Sequence, residues 1–570
     1  MSTHLPKPDA RLQAVVVVPA RNEAERIGAC LQALAGQLLI EHDDYEVVLV
    51  LDGCTDATRE RALEVGAREP RLRLRLVELP DSHGVGHARR LGMDIACERL
   101  LLVGRTNGLI ASTDADSVVA EDWLMAQIVL VRSGAQAIGG RIELHAEEAN
   151  RLPEQALEQR RQHAEQRMSS VLDESSAQLT RIAEHHQFSG ASLALTVAAY
   201  RHCGGLPARA ALEDEALERE LRERGVEIHR SESVRVRTSA RTGGRAPRGL
   251  AHELMLASWR TRRTFKAADF PLTRLLEAKR ESIALILPAR EVAGSIGPIA
   301  ECVARLCSAG LIDEALVVDA ASADGTADIA AAAGIDVVQE DELAGDCGPV
   351  LGKGDAMWRA LGEVDADVVA FIDTDTVDFD EHFITGLLGP LICEPSIQLV
   401  KGTFARPFRT GSMELAGEGG RVTELLARPL LNLHAPELAV FDQPLAGEVA
   451  ARAELLRRLP FSAGYGVEIA MLIDAWHIVG LDGLAQVDLG VRQNRHQPLR
   501  DLSAMAYAVL VAASRRLLGA ELIDAQAGGS IALPPAAAGA PIELRRVPIE
   551  ERPPRRIVSG SPVAGREQAS

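Results

Sequence analysis

Four short motifs occur in the same order in both halves of the 570-residue chain. They are an apolar stretch ending in Pro-Ala-Arg, a second apolar stretch ending in Asp, a glycine-rich turn and an Asp-x-Asp pair. Each motif recurs roughly 265 residues further along the chain. The shared order and spacing predict two copies of one domain, because a solenoid would repeat over a much shorter period.

Each copy alternates short apolar strands with segments of helical periodicity. This alternation predicts the α/β class, with a mainly parallel sheet flanked by helices in each copy. Ligands of such sheets bind at the carboxyl ends of the strands, which is where the four motifs fall. We predict domains at 1–250 and 281–525, a helical linker at 251–280 and a disordered tail at 526–570 that is rich in Ala, Gly, Pro and Arg.

Charge and composition narrow the choice of partner. The formal net charge of −19 argues against nucleic acid, whose phosphates require clustered Lys and Arg. No apolar run reaches the roughly 18 residues that would span a bilayer, and the first residues lack the apolar core of a signal peptide. The eight cysteines do not show paired zinc spacing. We therefore expect a cytoplasmic protein that binds small molecules, and the sequence leaves a homodimer open.

The Asp-x-Asp pairs are the strongest local signal for chemistry. Side chains two residues apart on a strand share a face, so Asp114 converges with Asp116, and Asp373 with Asp375. Paired carboxylates suit Mg²⁺ or Mn²⁺, which also binds the diphosphate of a sugar nucleotide. We predict Asp116 and Asp375 as metal ligands, and Asp114 and Asp373 as donor contacts. The alternative is a solvated strand end that happens to carry two aspartates.

Two further motifs point to nucleotide binding. The second strand of each copy ends in an aspartate, Asp52 or Asp319, whose carboxylate is able to accept hydrogen bonds from a base or a ribose. The alternative for this position is a helix cap or turn residue. In the second copy the glycine-rich turn places Lys353 between two glycines, where its charge suits a phosphate. Val85 stands at this place in the first copy, so the copies are predicted to differ here.

In the second copy the similarity to known proteins becomes specific. Both copies resemble family 2-like glycosyltransferases with the GT-A fold, and the second resembles the glucosyl-3-phosphoglycerate synthase family. The stretches that carry this second resemblance occur in order at 352–359, 371–375, 398–401, 420–425, 443–448, 464–469 and 488–492.

The resemblance implies a reaction and a set of site residues. The reaction is transfer of glucose from UDP-glucose, or another NDP-glucose, to the 2-hydroxyl of 3-phosphoglycerate with retained configuration. The implied donor contacts are Pro288, Ser322, Lys353 and Gly447. The implied acceptor contacts are Arg421, Val422, Thr423 and Tyr465. The implied catalytic residues are Lys353, Asp375 and Glu468. Arg421 has an alternative role, which is an ion pair with Glu424 one turn further on.

The second copy departs from the family pattern near its expected third metal ligand. The family places a histidine two residues after the arginine of Gly-Val-Arg, where this chain has Asn494. We predict that His496 binds the metal instead, because neutral imidazole is a better Mn²⁺ ligand than an amide. A surface histidine is the alternative. No general base is evident in the second copy, so the leaving diphosphate is expected to take the acceptor proton.

The first copy resembles inverting members of the broader family. Its Glu213-Asp214 pair matches their acidic pair, which implies that Asp214 is the catalytic base. The alternative is two acids on a helix surface. Between 235 and 248 five arginines predict a basic loop that closes over a diphosphate, or else a solvated loop. For the whole chain, the alternatives are a regulatory or scaffold first copy, GDP-mannose as donor, and free glycerate as acceptor.

Overall fold

The chain forms two compact units, Met1–Thr261 and Arg262–Ser570. A computed structural model describes residues 5–173, 183–207, 209, 212–244, 249–406, 408–410, 413–415, 420–492, 498–534 and 541–555. Within this described part, no helix is both long and apolar enough to cross a membrane.

The N-terminal unit is built on one twisted sheet with helices on both faces. Its strands are β1 (Ala14–Ala20), β2 (Tyr45–Asp52), β3 (Leu74–Leu79), β4 (Leu109–Ser112), β5 (Ser117–Val119), β6 (Ala137–Leu144), β7 (Leu193–Thr196) and β8 (Ile228–Thr238). Its helices are α1 (Ile27–Ala35), α2 (Thr58–Arg68), α3 (Val85–Leu102), α4 (Trp123–Arg132), α5 (Ala146–Ala149), α6 (Glu154–Asp173), α7 (Val197–His202), α8 (Glu213–Glu223) and α9 (Leu250–Arg263).

The first sheet has the order β3-β2-β1-β4-β7-β6-β8-β5. Strands β3, β2, β1 and β4 run parallel, while β7 is antiparallel to both of its neighbours. Successive residues of β1 point to opposite faces, so Val16 packs with Leu31 and Trp123, whereas Val17 packs with Met93. Both faces are therefore covered, which explains why β1 is a continuous β-branched run.

The C-terminal unit repeats this plan. Its main strands are β9 (Thr264–Lys266), β10 (Ile283–Ala289), β11 (Glu314–Asp319), β12 (Asp336–Gln339), β13 (Val368–Phe371), β14 (Leu399–Ala405), β17 (Val449–Arg452) and β19 (Leu484–Val491). Short strands outside this sheet are β15 (Phe408–Thr410), β16 (Met413–Leu415), β18 (Phe461–Ser462), β20 (Ser530–Leu533), β21 (Glu543–Arg546) and β22 (Glu551–Arg552).

The helices of the C-terminal unit cover both faces of its sheet. They are α10 (Leu272–Ala278), α11 (Ala293–Ser308), α12 (Thr326–Ala332), α13 (Lys353–Ala360), α14 (Glu381–Cys393), α15 (Arg428–His434), α16 (Ala453–Arg458), α17 (Val467–Val479), α18 (Leu499–Leu518) and α19 (Ala520–Asp524). Short 3₁₀ turns lie at Ala267–Asp269, Gly345–Cys347, Pro436–Val440 and Leu481–Gly483, and a π-helical turn lies at Thr423–Ala427.

The second sheet has the order β12-β11-β10-β13-β17-β14-β19-β9. Apart from the last edge strand, each position matches a strand of the first sheet, with β17 in the antiparallel place of β7. The prediction of two α/β units with mainly parallel sheets is confirmed. The internal repeat therefore extends well beyond the four motifs, to seven strand positions within the described residues.

Two predicted boundaries differ from the structure. The linker predicted at 251–280 is not a separate element, because β9 pairs with β19 and Phe270 and Leu275 belong to the second core. The tail predicted as disordered at 526–570 is ordered in its described part, where β20 pairs with β21 and β22 pairs with β18. Long-range pairing orders these residues, and local composition does not reveal such pairing.

Candidate active site

In the C-terminal unit, the Asp-x-Asp pair lies in the loop directly after β13. Asp373 accepts a hydrogen bond from Lys353 Nζ at 2.5 Å and one from Arg492 Nη2 at 3.2 Å. The same Arg492 Nη2 donates to Asp375 Oδ1 at 2.7 Å. The Asp375 side chain is 49% exposed, so one carboxylate of the pair faces solvent. The two aspartates thus converge on one cationic group at the carboxyl end of a buried strand.

Lys353 is the first residue of α13 and lies between two acids. Its ammonium donates to Glu468 Oε1 at 2.8 Å as well as to Asp373. Burial acts to lower the pKa of Lys353, but the two carboxylates outweigh it and raise that pKa well above its usual range. Burial likewise acts to raise the pKa of Asp373, and Lys353 and Arg492 hold it below its usual range. Both groups therefore stay charged at neutral pH.

Arg492 and Glu448 are site residues that our sequence-based choice of residues missed. Both side chains are almost fully buried and form an ion pair with each other. The Arg492 guanidinium also lies over the Phe404 ring, 5.1 Å from its centroid. Burial raises the pKa of Glu448, Arg492 opposes that rise, and Asp373 adds to it. A charged residue at the carboxyl end of β19 was the signal available in the sequence.

Gly447 lies directly against the Asp373 carboxylate. A Cβ atom at this position would lie 2.2 Å from Asp373 Oδ2, so no larger residue fits without displacing the aspartate. The preceding carbonyl, of Ala446, accepts a hydrogen bond from the buried Lys401 ammonium. Burial lowers the pKa of Lys401 to about 8. A buried lysine therefore fixes the loop that brings Gly447 to the Asp-x-Asp pair.

The predicted nucleotide contacts lie at the ends of β10 and β11. Asp319 is buried, and its Oδ2 accepts a hydrogen bond from Ser322 N at 3.0 Å. Its Oδ1 has no partner among the described residues, which is unusual for a buried carboxylate. Ser322 Oγ accepts from Glu291 N, and the carbonyl of Pro288 accepts from Thr374 Oγ1 at 2.7 Å. The donor-binding role of Asp319 stays a prediction.

Three of the four predicted acceptor residues lie on the turn that precedes α15. Val422 and Thr423 are buried, whereas Tyr465 is 49% exposed in the loop before α17. Gly420 has φ of 72°, and a Cβ there would lie 3.9 Å from Gln443 Oε1. This turn therefore lies beside the loop that leads to Gly447.

Glu424, which the alternative reading of the sequence paired with Arg421, forms a salt bridge with Arg428 at 2.8 Å. The predicted metal ligand His496 and its neighbour Asn494 lie outside the described residues. Within the described ranges, no three His, Cys, Asp or Glu side chains form a metal-binding group. The metal role of Asp375 and His496 therefore stays a prediction.

In the N-terminal unit a buried arginine takes the place of Lys353. Arg89 lies on α3, one turn beyond Val85, and donates to Asp114 Oδ1 at 2.7 Å and to Glu213 Oε1 at 3.0 Å. It also donates to the Gly190 carbonyl at 2.9 Å. The two units therefore differ less than the Val85–Lys353 comparison predicts. In each unit a cation joins the first aspartate of the pair to a glutamate at the start of a helix.

The second aspartate of the first pair is also held by an arginine. Arg241, three residues after β8, forms a salt bridge with Asp116 Oδ2 at 2.9 Å and donates hydrogen bonds to both oxygens of Glu23. Burial and the nearby Asp114 carboxylate raise the pKa of Asp116 to about 6, although Arg241 opposes them. Arg241 is thus the counterpart of Arg492. Its side chain contacts acidic groups, and the metal role of Asp116 stays a prediction.

Asp214 and Asp52 contact backbone amides. Asp214, in the first turn of α8, accepts a hydrogen bond from Gly190 N at 3.1 Å and is half-buried. Asp52 is buried and accepts from Ser82 Oγ, His83 N and Gly84 N at 2.9, 2.8 and 3.1 Å. Asp52 therefore fixes the glycine-rich turn of its unit, whereas Asp319 keeps an oxygen without a partner among the described residues.

Comparison with known proteins agrees with this fold. The family model for glycosyl transferase family 2 matches residues 15–186. The glucosyl-3-phosphoglycerate synthase of Mycolicibacterium smegmatis is 42% identical over 253 residues, which are 44% of this chain and 83% of that protein. The Mycobacterium tuberculosis H37Rv protein of the same name is 40% identical over 272 residues, which are 47% of this chain and 81% of that protein.

One similar solved structure is the mannosyl-3-phosphoglycerate synthase from Rubrobacter xylanophilus. It has a TM-score of 0.47 and 44% sequence identity, and the match covers 52% of this chain and 96% of that chain. The α/β fold and the strand-end aspartates, together with the family match, define the protein as a glycosyltransferase. More narrowly, the chain belongs to the glucosyl-3-phosphoglycerate synthase family.

Proposed function

We propose that the C-terminal unit transfers glucose from UDP-glucose to the 2-hydroxyl of 3-phosphoglycerate, with retention, in the cytoplasm. The name of the chain's relatives supplies the product class, and the motifs at 352–492 assign it to this unit. The observation that carries the proposal is the convergence of Asp373, Asp375, Lys353 and Arg492 at the carboxyl end of β13. A nucleotide diphosphate at such a strand end needs cations. Lys353 and Arg492 are two of them, and the carboxylates that surround them suit a divalent ion as a third.

The paired carboxylates fit Mg²⁺ or Mn²⁺. Their oxygens are the hard donors that these ions prefer, and they already hold a positive guanidinium. Asp375 would be the main ligand because half of its side chain faces solvent, with Asp373 and His496 as further candidates. When bound, the ion supplies charge neutralisation to the leaving diphosphate.

The protein's own residues orient the donor and stabilise its leaving group. Lys353 stays an ammonium because Asp373 and Glu468 flank it, and it places that charge where the diphosphate leaves. The Asp319 carboxylate contacts the nucleotide, and the backbone of Gly447, which lies against Asp373, lines the glucose site. The bond from the anomeric carbon to the diphosphate breaks, and the bond to the acceptor oxygen forms on the same face. The acceptor proton passes to a diphosphate oxygen.

The acceptor is a small anion with a phosphate and a carboxylate, and the turn at 420–423 suits it. Arg421 supplies a cation for its phosphate or carboxylate, and Thr423 and the Val422 amide supply neutral donors. Tyr465 is half exposed and contributes a hydroxyl from the neighbouring loop. These assignments follow the family resemblance of 420–425 and 464–469.

The test is a steady-state assay of the full chain with UDP-glucose, 3-phosphoglycerate and Mn²⁺. GDP-mannose and free glycerate replace the donor and the acceptor in parallel reactions. We expect kcat/KM for UDP-glucose with 3-phosphoglycerate to exceed that of each alternative by at least about 100-fold. Preference for GDP-mannose or for glycerate would overturn the assignment of donor or acceptor.

We propose further that the N-terminal unit is a second sugar transferase, with Asp214 as its base. The half-buried Asp214 carboxylate lies one residue from Glu213, which joins the Asp114 network through Arg89. The test uses the full chain with Asp375→Asn, which silences the C-terminal unit. Sugar-nucleotide turnover with mixed acceptors that falls on adding Asp214→Asn would support a transferase, and its complete absence would favour a regulatory unit.

A further inference from the structure

The last described residues of the chain form an ordered segment against the C-terminal unit. This C-terminal segment, residues 547–555, begins with Val547 and Ile549, which pack on Ala508 and Val511 of α18. Its short strand β22 then pairs antiparallel with β18. The backbone of Ala463 donates to the Glu550 carbonyl at 2.9 Å, which extends that pairing toward the loop before α17.

The same segment forms an ion pair and hydrogen bonds with α13, the helix that begins with Lys353. Arg552 donates to both carboxylate oxygens of Asp355, at 2.6 and 2.8 Å. The Asp355 side chain is fully buried, and its Oδ2 also accepts from Leu351 N at 2.9 Å. Asp355 therefore fixes the turn that immediately precedes Lys353. Its buried charge is compensated by Arg552, which makes both hydrogen bonds, and by Arg359, whose Nε lies 3.3 Å from Asp355 Oδ1.

Trp358, one turn further along α13, completes the contact. Its indole N–H donates to the Pro553 carbonyl at 2.8 Å. The guanidinium groups of Arg552 and Arg555 lie 5.6 and 4.4 Å from the centre of its ring. Arg555 also donates to the Arg359 carbonyl at 3.2 Å. The segment thus contacts two successive turns of α13.

The helix and the loop on which the segment acts are in direct contact. Asp355 N donates to the Ala463 carbonyl at 3.0 Å, and a Cβ at Gly354 would lie 1.9 Å from the Ser462 carbonyl. One of these elements carries Lys353 and the other leads into Glu468, whose carboxylate accepts from Lys353. Fixing the two elements together therefore fixes the distance between Lys353 and Glu468.

We infer that Arg552 is a positioning residue, which acts through Asp355 to hold Lys353 at the donor diphosphate. The inference rests on the proposed role of Lys353 in the C-terminal unit. It assigns a function to a part of the chain whose composition predicts disorder. It also sets the minimal active unit, which has to extend to residue 555 and not end near 525.

The experiment compares Arg552→Ala with Arg552→Lys and Arg545→Ala in the full-length protein. Arg545 lies on β21, just before the C-terminal segment, and forms exposed salt bridges with Asp501 and Glu543. Its loss therefore controls for removing an arginine ion pair that does not contact α13. Expected for Arg552→Ala is a fall of about 10-fold in kcat and in UDP affinity, with the KM for 3-phosphoglycerate within about twofold of wild type. Arg552→Lys should recover part of the loss, and Arg545→Ala should match wild type.

Two further measurements keep the test independent of folding and of the assigned reaction. Fluorescence of Trp358 should shift in Arg552→Ala, because that indole contacts the guanidinium and the Pro553 carbonyl. If Arg552→Ala does not fold, Arg552→Gln, which keeps a hydrogen-bond donor beside Asp355 but no charge, replaces it in the comparison. UDP affinity is measured by calorimetry, so an inactive wild-type enzyme would count against the proposed function alone.

Two results would overturn the inference. One is a variant at Arg552 whose kcat and UDP affinity stay within about twofold of wild type despite the changed Trp358 emission. The other is an equal rise in KM for both substrates together with a lower thermal stability. That result would indicate a purely structural contact.

Discussion

The two units place the same kinds of group at the same sheet positions, but with different exposure. Arg89 and Lys353 each join the first aspartate of a pair to a helix-starting glutamate, and they lie one turn apart on equivalent helices. The second aspartate is 49% exposed in Asp375 and only 14% exposed in Asp116. The charge arrangement is therefore common to both units, whereas the exposure of the second aspartate to a ligand differs between them.

The largest effect is expected from removing Lys353, the cation that joins Asp373 to Glu468. Lys353→Met should lower kcat for glucosyl transfer by about 100- to 1,000-fold, because a preorganised charge at the leaving group is lost. Steady-state kinetics measure it, with Lys279→Met as the control, since Lys279 bonds Asp313 and Gly310 near the amino end of β10. Activity of Lys353→Met within about threefold of wild type would remove the lysine from the reaction.

The matching change in the N-terminal unit should act on stability. Arg89→Met leaves Glu213 and Asp114 without the guanidinium that compensates them, and it should cost about 3–5 kcal/mol of that unit's free energy of unfolding. Urea denaturation followed by circular dichroism measures it. The neighbouring Arg90 is more exposed, so Arg90→Met should change stability by less than about 0.5 kcal/mol. Equal effects of the two substitutions would contradict the network.

A smaller effect is expected from the glycine that precedes the antiparallel middle strand in each unit. A Cβ at Gly447 would lie 2.2 Å from Asp373 Oδ2, and a Cβ at Gly190 would lie 2.3 Å from Arg89 Nη2. Gly447→Ala should therefore lower kcat about 10-fold by displacing Asp373. Gly190→Ala should destabilise its unit by about 1–3 kcal/mol through overpacking. Steady-state kinetics measure the first variant, and urea denaturation measures the second. A wild-type kcat for Gly447→Ala and a wild-type stability for Gly190→Ala would show that the backbone at each glycine adapts freely.

The smallest effect is a pH dependence at Asp116. Its folded pKa of about 6 exceeds the ordinary value of 3.8, so the folded unit binds more protons than the unfolded chain between these values. Stability contributed by this group therefore falls as pH rises from about 4 to about 6. Asp116→Asn should raise the Tm more at pH 8 than at pH 4.5, in a buffer with a metal chelator. A larger gain at the lower pH would contradict the shifted pKa.

The sequence predicts the repeated part of this molecule well, and the reason is physical. The apolar strands and the polar residues at their carboxyl ends are local patterns, so β1, β10 and the two aspartate pairs follow from reading along the chain. The position of Asp373 and Asp375 at the carboxyl end of β13 follows from the apolar run before them. Their convergence does not follow from strand geometry, because both lie in the loop after the strand and meet at Arg492. The cations that meet these aspartates do not follow in this way, because Arg492 and Arg241 come from segments more than one hundred residues away.

The C-terminal segment is a part of the chain for which the prediction from sequence is wrong. Its Pro- and Arg-rich composition predicts disorder, yet Arg552 and Arg555 meet Trp358 and the buried Asp355. These arginine side chains are held by partners that are distant in sequence. Composition shows only that the segment lacks apolar residues for a core of its own. The same reason explains why β9 was predicted as linker, since three residues become a strand only beside β19.

The most direct test of the central claim is the anomeric configuration of the product made by the full chain. Proton NMR of a reaction with UDP-glucose, 3-phosphoglycerate and Mn²⁺ reads that configuration from the coupling at the anomeric carbon. We expect an α-linked glucosyl group on the 2-oxygen with wild type and no product with Asp375→Asn. A β-linked product, or normal turnover by Asp375→Asn, would contradict it.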